Sequence, residues 1–140
     1  MVKEKERWYQ KQLTQEEFMV FIKDALAGKN NKKAFIGTIG QETAKKIESM
    51  CEKKVGKIMI ESEGIRHAYK KAGHNLKNGD LLHIVDAINT AADIKVSDIT
   101  HQNNECLEIC KDIDGIITFV MEIRKHYGGW LTLVTCYRLK

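Results

Sequence analysis

The stretch Gly64-Ile65-Arg66-His67-Ala68-Tyr69-Lys70-Lys71-Ala72-Gly73-His74 holds two imidazoles and two ammonium groups at helical spacing. His67, Lys70, Lys71 and His74 stand at i, i+3, i+4 and i+7, so they share one helix face. Imidazole exchanges protons near neutral pH, and lysine stays cationic. Such a set suits general acid and base work on a phosphodiester. A solvated basic helix edge carries the same pattern, and the segment alone favours that plainer reading. Its place in the chain shifts the balance.

Further candidates lie near the C-terminus. In the strand-like run Ile116 to Lys125, Ile117, Phe119, Met121 and Ile123 alternate with Thr118, Val120, Glu122 and Arg124. The first set reads as core. Glu122 and Arg124, together with Arg66, are substrate-binding candidates, although a wet face is the default for one side of an antiparallel sheet. In Trp130 to Leu139, period-two alternation places Thr135 and Tyr137 on the face of Leu131 and Leu133. Their hydroxyls can hydrogen-bond a phosphate oxygen without adding charge. His83, His101 and His126 read as non-chemical: His83 sits in a helix with a buried stripe, His101 in the polar loop Thr100 to Asn104, and His126 beside a turn.

No metal site is expected. Cys51, Cys106, Cys110 and Cys136 show no CxxC spacing, and neither a zinc pattern nor a disulfide framework emerges. At least two read as buried small apolar groups, which fits a reducing compartment.

The elements that must position these groups follow from periodicity. The chain has 140 residues, 43% apolar and 30% charged, which fits one globular domain with a full core. Its net charge of +4 permits a polyanionic partner without demanding one. Ile116 to Ile123 is far too short to span a bilayer, and Met1 to Arg7 lacks a signal-peptide core. Thr14-Gln15-Glu16-Glu17 is a capping box opening a helix that ends at Gly28. Short strands are expected at 33–37 and 57–60, with helices at 41–54, from Ser62 to Gly73, and at 81–92, where Asp80 is a plausible cap. Residues 94–140 read as antiparallel sheet, with strands at 105–112, 116–125 and 130–139 and a hairpin turn at Asp114-Gly115. Helices first and sheet last is an α+β order.

Together the pieces "AFIGTIG", "KIMI", "IRHAYKKAGH", "LLHIVDAI" and "LTLVTCYRLK" resemble the phage-associated branch of the barnase–EndoU–colicin–RelE superfamily of metal-independent nucleases. Ile65, His67, Lys70 and Lys71 match its helix motif, and Leu131, Thr135 and Tyr137 match its terminal-strand motif. One departure stands out. Relatives often place a second histidine directly after the lysine pair, where this chain has Ala72, with His74 two residues later. The resemblance covers about residues 33–140, so 1–31 reads as a helical N-terminal extension and 32–140 as the nuclease domain.

What the resemblance implies is a bacterial endoribonuclease toxin. It would cut RNA, transfer RNA among the candidates, through attack of the 2′-hydroxyl on phosphorus, leaving a cyclic phosphate. His67 and His74 would serve as acid and base, with Lys70, Lys71, Thr135 and Tyr137 stabilising the transition state and no cofactor taking part. Such domains are often the C-terminal module of a secreted effector, including contact-dependent growth inhibition toxins. They act in the target-cell cytoplasm as monomers or bound to a cognate immunity protein. A catalytically inactive RNA- or protein-binding domain on the same scaffold is the alternative, and an unrelated α+β regulatory module stands third.

Overall fold

Thr14 opens the first helix as its sequence requires. Its hydroxyl accepts from Glu17 N (3.1 Å) and Glu17 Oε1 accepts from Thr14 N (2.9 Å), a complete capping box. The structure, a computed structural model, describes residues 8–28, 31–70, 74–77, 79–90, 93–125 and 128–138. In chain order the elements are α1 (Gln15–Leu26), β1 (Lys33–Thr38), α2 (Gln41–Cys51), β2 (Lys57–Glu61) and α3 (Ser62–Lys70). A 3-10 turn (Asp80–His83) then leads into α4 (Ile84–Thr90), followed by β3 (Asp93–His101), β4 (Asn104–Asp112), β5 (Ile116–Arg124) and β6 (Trp130–Arg138). The fold is α+β, with helices concentrated in the first two thirds and strands closing the chain.

Among the described residues the strands form one six-stranded sheet in the order β1-β2-β6-β5-β4-β3. β3 to β6 is an antiparallel meander, and β2 joins it through a parallel pairing with β6. The helices cover one face. Ile47, Ile65, Ala68, Ile84 and Ile88 pack there against Ile58, Ile60, Leu107, Ile109, Phe119, Met121 and Leu131. Phe18 and Ala25 of α1 belong to the same core, so the helix of the N-terminal segment is continuous in packing with residues 32–138. On the opposite face Trp8 and Tyr9 pack over Phe35, Met59 and Trp130.

Several boundaries differ from those expected. α2 stops at Cys51 because Glu52 turns left-handed (φ 57°), its N–H bonding back to Glu48 O. The helix expected from Leu81 splits into the 3-10 turn and α4. Asp80 does not cap it: its carboxylate accepts from Lys77 N (2.7 Å) and pairs with Arg138 through two bonds of 2.8 Å. Arg138 also donates to the Ile113 carbonyl (2.6 Å), so this buried pair ties the end of β6 to the β4–β5 turn. His101 is not in a loop but ends β3, and Gln102 and Asn103, both at positive φ, make the two-residue turn into β4.

The consequential difference is in β6. Val120 lies opposite Thr135, yet Met121 lies opposite Leu133, so Val134 is an extra residue in the ladder, a β-bulge. The bulge reverses the alternation. Leu131, Leu133 and Cys136 all enter the helix-side core, at a spacing of two and then three. Thr135 and Tyr137 are therefore not on the face of Leu131 and Leu133, as strict alternation predicts. They share the opposite face with Val120 and Thr118, their partners on β5, and with Glu122 two residues on.

Candidate functional site

α3 meets β6 at a point where only glycine fits. A Cβ on Gly64 would collide with the Leu133 carbonyl oxygen, one residue before the bulge. β2 pairs with β6 only as far as Thr132. Beyond it the chain of α3 runs along β6, and His74 O accepts from Arg138 N at 2.7 Å. The chain thus holds both ends of the histidine segment against the strand that carries Thr135 and Tyr137.

His74 is half-buried. Its Nδ1 lies 3.1 Å from the Ala68 carbonyl and 3.4 Å from Thr135 Oγ1. A carbonyl only accepts, so this bond fixes the proton of the neutral ring on Nδ1 and leaves Nε2 as the basic nitrogen. The His67 ring stacks near it, with centroids 6.3 Å apart and planes at 20°. The Tyr137 ring lies 5.9 Å from His74, with its plane tilted by 56°. His67 itself is solvent-exposed. His67, His74, Thr135 and Tyr137 are therefore neighbours, brought together from α3, its exit and β6.

A second group adjoins the first. Glu122 is fully buried, so the wet-face reading does not hold for it. Asn104 Nδ2 donates to its Oε2 (2.7 Å), Arg124 Nη2 donates to Oε1 (3.1 Å), and His101 Nδ1 sits 3.0 Å from Oε1. Burial works to raise the Glu122 pKa, but these hydrogen bonds outweigh it and hold the carboxyl below its ordinary value. Arg124 also pairs with Glu61 at 2.5 Å. Its guanidinium is divided between two carboxylates, so it organises the group rather than offering its charge outward. Glu122, Arg124, Glu61, His101, Gly64 and His67 line one open depression. His67 thus stands between the two groups.

The remaining expected residues separate cleanly. Lys70 is exposed at the end of α3. Lys71, like His126, lies outside the described residues. Arg66 is not brought to the site: it turns to α1, donating to the Ala25 carbonyl (3.2 Å) and to Asn31 Oδ1. His83 is exposed in the 3-10 turn, away from the depression. His101 was missed as a site residue. The polar run Thr100 to Asn104 conceals a two-residue hairpin turn, and only the pairing of β4 with β5 reveals that Glu122 lies within its reach.

Cys106 and Cys136 are buried and poorly suited to act as nucleophiles. Burial and the charge of Glu122 push the Cys106 thiol up to about 11, and burial raises Cys136 further still. A thiol so shifted carries almost no thiolate at neutral pH.

Fold and site define an α+β protein with an imidazole pair set against strand hydroxyls. No protein-family model, curated protein or solved structure matches the chain.

Proposed function

We propose that the chain is a metal-independent endoribonuclease that cleaves by attack of a 2′-hydroxyl on the adjacent phosphorus. The observation that carries this reading is the meeting of His67 and His74 with Thr135 and Tyr137 beside an open depression. Two imidazoles a few ångströms apart supply what the reaction needs, a base for the 2′-proton and an acid for the leaving 5′-oxygen. With Nδ1 bound to Ala68, His74 presents Nε2 as the base. His67, exposed at the depression, donates the proton to the departing oxygen. Thr135 and Tyr137 donate to the non-bridging oxygens as their charge grows. Glu122 and Arg124 hold His101 and Glu61 in place around the depression. The roles of toxin and of immunity-protein partner rest on the sequence resemblance alone, and an acidic protein covering this face is the partner that would follow from it.

The test is to incubate total RNA with the protein in the presence of a chelator, beside His67→Ala. His67 is exposed, so its removal leaves the fold intact. Cleavage by the wild type and a loss of at least about 10²-fold in the variant are expected. Equal cleavage by both would remove His67 from the mechanism, and intact RNA throughout would leave a binding domain on this scaffold.

A further inference from the structure

A wider cleft adjoins the depression and shares Gln102 and Arg124 with it. Its other walls include Trp8, Lys33, Asn104 and Lys125, and among the described residues no carboxylate lines it. The contrast with the depression is chemical. There Arg124 is matched by Glu61 and Glu122, and Glu63 adds a further negative charge. Among the described residues Lys33 and Lys125 have no carboxylate partner, so a phosphate chain crossing the site meets these cations next door. Trp8 is half-buried, its ring 5.1 Å from the buried Trp130 ring at 33° and 6.0 Å from Lys33 Nζ. The segment that carries it is anchored. Lys57 Nζ donates to the Tyr9 carbonyl (3.1 Å), and Leu13 N donates to the Phe35 carbonyl (2.8 Å).

Lys33 Nζ lies over the Trp8 ring and Tyr9 meets it edge-on; an indole wall flanked by lysines is how proteins hold an unpaired base and its backbone. We propose that this cleft is a nucleotide subsite: a base stacks on Trp8, its phosphate meets Lys33 and Lys125, and the substrate is single-stranded where it flanks the scissile bond. The inference rests on the ribonuclease reading for its direction, since it is the shared Arg124 edge that makes the cleft the continuation of the site. Single-strandedness follows from the ring. A base inside a duplex has both faces covered by its neighbours, and only an unpaired one has a face to give.

Binding is measured without cleavage, by fluorescence anisotropy of a labelled RNA strand carrying a 2′-O-methyl group at every position, alongside a duplex of the same sequence. Trp8→Ala is expected to weaken single-strand binding about 5- to 100-fold, while Trp8→Phe, which keeps an aromatic ring over Trp130, retains most of it. Lys33→Ala with Lys125→Ala is expected to lower the slope of log affinity against log salt by about 1.4, two released counterions on a single strand. That pair keeps the question open to test should Trp8→Ala fail to fold. Unchanged binding in the Trp8 and lysine variants, or a duplex held as tightly as the single strand, overturns the subsite. Because the strand cannot be cut, Trp8-dependent binding by a protein that leaves RNA intact supports the subsite and overturns only the ribonuclease.

Discussion

The Ala68 carbonyl decides what His74 is. By holding Nδ1 it gives the ring a fixed tautomer and a fixed direction, which an exposed imidazole lacks. Glu122 does similar work for the neighbouring group, and it carries a pH signature. Its pKa is lowered in the folded protein, so its charge contributes stability above the ordinary value of 4.5, and that contribution is lost as pH falls through the lower folded value. Glu122→Gln removes this dependence. In urea unfolding the variant is expected to start from a lower midpoint at pH 7 and to lose less than the wild type as pH drops below 4.5. Parallel pH curves for the two proteins would mean that the carboxylate contributes nothing to folding. At this scale the sequence was legible where spacing is local. The helix period places His67 on α3, but α3 is described only to Lys70 and His74 stands outside it, held by the Ala68 carbonyl rather than by a shared helix face. The Glu122–His101 contact spans 21 residues and two strand pairings, and no local period reports it.

Two local irregularities assemble the site from otherwise ordinary elements. One is the bulge at Val134, which turns Thr135 and Tyr137 toward Glu122's face. The other is Gly64, whose missing side chain lets α3 lie against the Leu133 carbonyl. Gly64→Ala forces helix and strand apart. It is expected to cost about 1–3 kcal/mol of stability, with cleavage reduced further at a temperature where the variant is still folded, because His67 and His74 move relative to β6. Chemical denaturation and cleavage rates on the same sample check this; wild-type values for both would show that the close approach is not needed. The helices and strands themselves were readable, since β1, α2, β2, α3 and β4 to β6 all follow from apolar period and turn residues. The bulge was not. Leu133 and Val134 stand side by side as apolar residues in "LTLVTCYR", but which residue is extra shows only in the register against β5.

For the molecule as a whole, the mixed sheet explains why the two catalytic candidates face the last strand. The parallel step from β2 to β6 places α3 beside the end of the chain, so residues some 60 positions apart become neighbours. An α+β order was visible in the sequence, but the position of β6 between β2 and β5 was not, because sequence order says nothing about which strand inserts where. Asp80 and Arg138 then lock that last strand in place. What this arrangement is for is tested most directly by the chemistry of its products. The protein should be given a short single-stranded RNA in EDTA, and the ends at the cut site identified by mass spectrometry. Attack by the 2′-hydroxyl is expected to leave a 2′,3′-cyclic phosphate on one fragment and a 5′-hydroxyl on the other, with a single 2′-deoxy substitution at that site abolishing the cut. Fragments ending in a 5′-phosphate, or cleavage that continues through the deoxy position, would contradict it.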